Sequence, residues 1–121
     1  MSSVNISREL LNEIATLVAE KVTNFIMKKI PLKRLSEINV VVTVKDPEKL
    51  LFEIDVDVKT DLLIKQDVLD EIVREATDYG FKILDEVMSY LLNGGEQDIE
   101  KIRDIIRRAA RKYLDTGAQE R

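Results

Sequence analysis

Three carboxylates at alternate positions are the residues of this chain best placed to do chemistry. Glu53, Asp55 and Asp57 alternate with apolar residues in the segment LFEIDVDV, so a β-strand would place all three on one face. Neighbouring carboxylates on that face would lie about 6.6–7 Å apart. That spacing is too wide for two of them to hold one divalent ion without further ligands. A solvated face that discourages aggregation is therefore favoured over a metal site.

A second group of candidate residues is basic. Between residues 99 and 114, six positive side chains outnumber two negative ones, and Arg103, Arg107 and Arg111 recur every four residues. Such a stripe can contact the phosphates of RNA or DNA. A solvated helix face is the favoured alternative, because the net charge of −4 counts against a dedicated nucleic-acid binder. The candidate nucleic-acid contacts are Arg103, Arg107, Arg111 and Lys112. A second basic cluster precedes the strands: Lys28, Lys29, Lys33 and Arg34.

The composition disfavours most enzyme classes. The chain has no histidine and no cysteine, which removes the commonest general base, the usual nucleophile systems and most transition-metal sites. The pair Gly94-Gly95 lacks the following lysine of a phosphate-binding loop. We therefore expect a protein that is not an enzyme and that has no cofactor and no metal.

The hydrophobic pattern predicts an α+β fold with the order α-β-β-α-α. Apolar residues at helical spacing indicate helices over about 7–29, 67–92 and 98–114, with Asp67 as the cap of the second. Alternation over 38–58 indicates an antiparallel hairpin. The first two helices are expected to pack on its apolar face, and dimerisation could extend the sheet, since a two-stranded hairpin is marginal alone.

The register of the hairpin follows from keeping all apolar residues on one face. The predicted pairs are Val44 with Leu50, Val42 with Phe52, and Val40 with Ile54, which require an odd-length loop at 45–49 unless a bulge intervenes. On the outer face, Asn39 is then expected opposite Asp55, and Thr43 opposite Leu51.

The outer face of the hairpin is the predicted interface. It carries two apolar residues, Val41 and Leu51, which suggests cover by a partner or by the third helix. The candidate interface residues are Asn39, Val41, Thr43, Leu51, Glu53 and Asp55.

A glycine in the middle of the second helix needs a reason, because it costs about 1 kcal/mol relative to alanine. Ala76 and Gly80 lie one turn apart on the apolar stripe. Close helix packing at this point is favoured over a hinge.

The length of 121 residues predicts a single domain over 1–121, with disordered tails at 1–5 and 115–121 and a C-terminal helical extension at 97–114. Glu, Lys, Arg and Ile are abundant, which leans towards a thermophile. The N-terminus lacks a secretion signal and no apolar run is long enough to cross a membrane, so we expect a cytoplasmic protein with no membrane association.

The segment from the end of the first helix to the second strand resembles a small archaeal family catalogued only as a domain of unknown function. The matching positions are Ile26, Lys29, Ile30, Pro31 and Lys33, and then Asp55, Val56, Asp57 and Val58. The resemblance covers about residues 10–92 and leaves the third helix outside. It implies an archaeal cytoplasmic protein without an assigned activity, and it assigns no functional residues.

Two functional hypotheses follow, with an enzyme resting on Asp55 and Asp57 a distant third. The first is a non-enzymatic interaction module that forms a homodimer or binds a protein partner. The second is an RNA-associated accessory subunit that uses the basic third helix. Its architecture is similar to that of the small dimerising subunits of the archaeal KEOPS complex, which modifies tRNA, although this likeness is one of architecture alone.

Overall fold

The computed structural model describes residues 5–119, with side chains described as far as residue 114. The elements in chain order are helix α1 (Arg8–Lys29), a short 3-10 turn (Leu32–Arg34), strand β1 (Leu35–Asp46), strand β2 (Leu51–Thr60), helix α2 (Gln66–Leu92) and helix α3 (Ile99–Gln119). The predicted fold class is confirmed. Of the predicted disordered tails, residues 1–4, 120 and 121 lie outside the described part of the chain, while the backbone of 115–119 belongs to α3.

Helix α1 begins and ends where its sequence predicts. The Oγ of Ser7 accepts a hydrogen bond from the backbone N–H of Leu10 at 3.1 Å, which satisfies one of the free donors of the first turn. The helix ends at Lys29, and Ile30 is extended with φ −119°, as expected for a residue before proline.

The predicted cap of α2 is wrong. The capping position is Lys65, whose carbonyl accepts the Leu69 N–H at 3.0 Å, so Asp67 lies inside the first turn. The reason lies upstream, where Asp61 organises the connection. Its Oδ1 accepts the Leu63 N–H at 3.0 Å, and this bond closes a turn. After the turn, the chain reaches the capping position of the helix two residues before Asp67.

The two faces of the hairpin are as predicted, but the predicted pairs are wrong by two residues. The inward pairs are Ile38 with Val58, Val40 with Val56, Val42 with Ile54, and Val44 with Phe52. A shift of two residues keeps every side chain on its face.

The turn of the hairpin explains the shift. A bulge lies between Val44 and Asp46, and the turn residue Leu50 has φ 55°. The Oδ1 of Asp46 accepts the N–H groups of Glu48 and Lys49 at 3.0 and 3.3 Å, which fixes the tight turn around the intervening proline.

The molecule has three layers. Helix α1 packs against β1 and α2 against β2, so Ile54 and Val58 are buried beneath the helix pair. Helix α3 covers the opposite side of α1 and α2, where it buries Ile102 and Ile106. It therefore does not cover the outer face of the hairpin, and the expectation that it could do so is wrong. The helix also continues past its predicted end at Leu114.

Gly80 lies where three elements meet. A Cβ atom at this position would stand 2.8 Å from both Ile54 Cδ1 and Val22 Cγ2. Ordinary contact between carbon atoms needs about 3.5–4.0 Å. Close packing is thus the reason for this glycine, and α2 runs through it without interruption.

Candidate interaction surfaces on the hairpin and on helix α3

The outer face of the hairpin is open to solvent. Val41 and Leu51 are 45% and 52% exposed. The polar candidates Asn39, Thr43, Glu53 and Asp55 are also exposed. The structure therefore gathers all six candidate interface residues on one accessible surface.

The cross-strand neighbours on this face differ from those predicted, because of the two-residue shift. Val41 lies opposite Asp55, and Thr43 lies opposite Glu53. Asn39 lies opposite Asp57, not Asp55. Each of these three carboxylates thus faces a neutral residue across the hairpin.

Two ion pairs lie towards the two ends of this face. Lys45 Nζ lies 3.2 Å from Glu53 Oε1, and Lys59 Nζ lies 3.8 Å from Glu37 Oε1. Both pairs are exposed and contribute little to stability on their own. Among the described side chains, no group of three carboxylates is arranged to hold a metal ion. Between the two pairs, Val41 lies among polar residues and the carboxylates Asp55 and Asp57, while Leu51 lies beyond Glu53 at the turn.

Two parts of the sheet are left open by the described residues. Within the described residues it has two strands, so each strand has one edge without a strand partner. In addition, the inward residues Val40, Val42, Val44 and Phe52 are only partly buried. The helices cover the base of the apolar face more fully than the end near the turn.

The candidate nucleic-acid residues of α3 divide between two sides of the helix. Arg107 and Arg111 line a groove of about 220 Å³ between α1 and α3, together with Lys21 and Lys28 of α1. Arg103 is exposed one turn earlier on the helix. The groove joins part of the α3 stripe to a lysine of the second basic cluster, which sequence spacing alone did not reveal.

The charges of this groove are mostly free of acidic partners. Arg107 Nη1 pairs with Asp104 Oδ1 at 3.1 Å. Among the side chains described up to residue 114, Lys21, Lys28 and Arg111 have no acidic partner within 4.0 Å. The groove is therefore a concentration of positive charge on a protein of negative net charge.

Lys112 lies on the other side of α3, in a network that fastens the helix to α2. Tyr113 donates its hydroxyl to Glu86 Oε2 at 2.6 Å, and Lys112 Nζ donates to the same oxygen at 3.1 Å. The hydrogen bond from Tyr113, aided by that from Lys112, lowers the pKa of Glu86. The same bond raises the pKa of Tyr113. Lys112 thus serves the packing of α3 rather than the basic groove.

One exposed apolar surface was not predicted. Leu62 and Leu63 are 99% and 68% exposed in the connection after β2, and Leu32 of the 3-10 turn is 67% exposed. The two segments are joined, because Arg34 Nη1 lies 3.2 Å from Asp61 Oδ2 and the Asp61 N–H donates to the Arg34 carbonyl at 3.0 Å. Two consecutive leucines between a strand and a helix are the sequence signal for these exposed side chains.

The comparisons with known proteins identify a family whose function is unknown. The model of the family described as "Protein of unknown function (DUF3194)" matches residues 4–87. The chain belongs to the DUF3194 family. The predicted resemblance to a domain of unknown function is confirmed, and the match contains α1, the hairpin and most of α2 but not α3. Neither the curated proteins nor the solved structures include a match. Among the described residues of this DUF3194 protein, no helix has the length and apolar character needed to cross a membrane.

Proposed function

We propose that this DUF3194 protein is a non-enzymatic interaction module that self-associates through its hairpin. The observation that carries the proposal is the exposed outer face, which presents Val41 near its middle and Leu51 near the turn, with an unpaired strand edge on either side. A hairpin of two strands gains stability from further strands or from cover on its open face. Unpaired edges of 12 and 10 residues also invite pairing with another chain.

The chemistry of the surface supports binding over catalysis. The carboxylates of the outer face are exposed to solvent, and Glu53 is already paired with Lys45. The chain also lacks histidine and cysteine, which supply most general bases and nucleophiles. The role proposed is therefore that of a module which holds protein chains together.

The cellular setting forms part of the same proposal. The family resemblance and the abundance of Glu, Lys, Arg and Ile support a cytoplasmic protein of a thermophilic archaeon. At high temperature the exposed ion pairs of the outer face cost less to desolvate than at 25 °C.

Light scattering on the purified full chain tests the proposal. At high micromolar concentration we expect a particle of twice the chain mass of 13.9 kDa. Exchange of Val41 and Leu51 for serine should shift the equilibrium towards monomer while the circular dichroism spectrum stays the same. A wild-type mass of 13.9 kDa throughout the concentration range would refute self-association.

A second candidate function is that of an RNA-associated accessory subunit, and the groove between α1 and α3 is the observation that favours it. The sequence placed Arg107 and Arg111 on one helix, and the fold adds Lys21 and Lys28 beside them. Asn24 lines the same groove and could donate a hydrogen bond to a phosphate oxygen. A phosphate backbone is the ligand that such a cationic groove would accept.

Binding to tRNA at several salt concentrations tests this second candidate. The double variant Lys28→Glu, Arg111→Glu should lose affinity, and the dependence of affinity on salt should become shallower, because fewer counterions are released. Arg108→Glu is the matched control, since Arg108 lies on the same helix but lines a separate groove between α2 and α3. Equal affinity of the wild type and the double variant would exclude the groove as an RNA site.

A further inference from the structure

We propose that the partner of the hairpin is a second copy of this chain, and that the two β1 strands pair antiparallel about a twofold axis at Val41. The inference rests on the self-association proposed above and identifies the line along which the two β1 strands pair, which is called the seam below. The product is one four-stranded sheet with the order β2-β1-β1-β2. Closed twofold symmetry of this kind is the commonest arrangement of homo-oligomers.

The charges on the outer face select the edge. Pairing through β2 about Asp55 would set that carboxylate against its own copy and Glu53 against Asp57 of the second copy. Like charges directly opposite each other destabilise a sheet. Strand β1 carries only Glu37 and Lys45 as charged residues on this face before its last residue, and these are opposite in sign. The edge of β1 can therefore pair with the same edge of a second copy without setting like charges opposite each other.

The same charges select the register. With the axis at Val41, this residue faces its own copy, Asn39 faces Thr43, and Glu37 faces Lys45. A row of alternating charge then crosses all four strands, because Glu37 already pairs with Lys59 and Lys45 with Glu53. An axis at Val40 or at Val42 would leave Glu37 without a positive neighbour across the seam.

The inner face agrees with this register. Val40 then faces Val42 of the second copy, and Ile38 faces Val44. These four side chains are only partly buried in the single chain. Pairing would therefore extend the apolar face that α1 and α2 cover and would remove more of it from water.

The backbone of β1 is free to form the new ladder. Among the described residues, the backbone hydrogen bonds of 36–46 are those of the hairpin with β2, and no turn or loop segment bonds to this strand. Bulges lie at both ends of β1, between Leu35 and Glu37 and between Val44 and Asp46. The regular stretch between them is centred next to Val41.

A single engineered cysteine tests the axis, because the chain has no cysteine of its own. Directly opposed residues of antiparallel strands have Cα atoms about 4.5–5.5 Å apart, which suits a disulfide. Oxidised Val41→Cys should therefore run as a covalent dimer on a non-reducing gel. Asp55→Cys is the matched control on the same face of the same hairpin. Its two copies would be separated by three strand spacings, roughly 14 Å, and should stay monomeric on the gel.

Charge reversal tests the register. Lys45→Glu places two carboxylates opposite each other at two symmetric positions, and the dissociation constant measured by sedimentation should rise on the order of tenfold. The double variant Glu37→Lys, Lys45→Glu restores opposite charges across the seam and should lower the dissociation constant below that of Lys45→Glu. Glu53→Lys breaks the same intramolecular pair as Lys45→Glu but lies away from the seam. It should change the dissociation constant less than about twofold.

The outcomes separate the seam from the function on which it rests. A dimer in light scattering together with no cross-link at Val41→Cys, or with no rescue by the double charge reversal, overturns the seam and leaves self-association standing. A monomer at every concentration overturns both. A covalent dimer from Val41→Cys but not from Asp55→Cys, with rescue by the double charge reversal, supports the axis and the register together.

Discussion

Replacement of Gly80 by alanine sets two opposing effects against each other, and the structure decides between them. In the interior of an exposed helix this substitution stabilises by about 1 kcal/mol, because alanine has less backbone freedom to lose. At Gly80 the added methyl group would stand 2.8 Å from Val22 Cγ2 and from Ile54 Cδ1. Forcing an extra methyl into a filled core costs about 1–3 kcal/mol.

The expected net effect is a loss of about 1 kcal/mol in the free energy of unfolding. Ile54 can turn its terminal methyl aside, but Val22 is branched at Cβ, fully buried and stiff. Most of the cost should therefore arise from the contact with Val22. Gly80→Val should cost more than Gly80→Ala for the same reason.

Urea denaturation at one fixed protein concentration measures these differences, because self-association would make stability depend on concentration. Val22→Ala alone should destabilise by about 1–3 kcal/mol through the cavity it leaves. The double variant Val22→Ala, Gly80→Ala should lose less free energy of unfolding than the sum of the losses of the two single variants. The reason is that the shorter side chain at position 22 makes room for the new methyl group at position 80. Gly94→Ala is the control: its strain comes from φ +88° and not from packing, so its effect should add to that of Val22→Ala. Additivity of Gly80→Ala and Val22→Ala within about 0.5 kcal/mol would refute the packing explanation.

Three further predictions concern the hydrogen bonds that hold the helices. Burial raises the pKa of Tyr79 to about 12, so the contribution of the neutral phenol to the free energy of unfolding is complete below pH 10 and is lost as pH rises towards 12. Tyr79→Phe should flatten this fall in alkaline urea titrations. The same variant removes the hydroxyl bond to the Ala110 carbonyl and should cost about 1 kcal/mol at pH 7. Ser7→Ala removes the cap of α1 and should also cost about 1 kcal/mol in urea unfolding, whereas Ser7→Asp should retain most of the stability. Tyr113→Phe should raise the pKa of Glu86 towards that of an ordinary carboxyl group, as measured by NMR titration.

The faces of the elements could be predicted from the sequence, because burial acts on each residue separately. Alternation placed Val40, Val42 and Ile54 inward and left Val41 and Leu51 outward, and the structure agrees. The fold class follows from the same periodicities, since a helix and a strand repeat their apolar residues at different intervals.

The pairing of the strands could not be predicted, because it depends on the turn. Two registers that differ by two residues bury the same side chains, so the hydrophobic pattern cannot choose between them. The bulge after Val44 and the positive φ of Leu50 make the choice. A leucine gives no sign in advance of the left-handed conformation that it adopts here.

Surfaces formed by segments that are distant in the sequence also could not be predicted. Arg107 and Arg111 were visible as a helical stripe, but the positions of Lys21 and Lys28 beside them depend on how α1 and α3 pack. The segment of the exposed leucines at 62 and 63 is likewise joined to the 3-10 turn that carries Leu32 by the bonds between Asp61 and Arg34, which the sequence did not reveal.

The position of α3 bears on how this DUF3194 protein folds and how it can be divided. The family match ends at residue 87, yet α3 begins only at Ile99 and contributes Ile102 and Ile106, which are completely enclosed, to the common core. We therefore expect that the matched segment does not fold as an autonomous unit in this chain. A fragment cut after α2 would expose the apolar surface of α1 and α2 that α3 now covers. We therefore expect all three helices to unfold together in one cooperative transition. Any family member that lacks an equivalent of α3 must cover the apolar surface of α1 and α2 in another way, with a different helix or with a different protein.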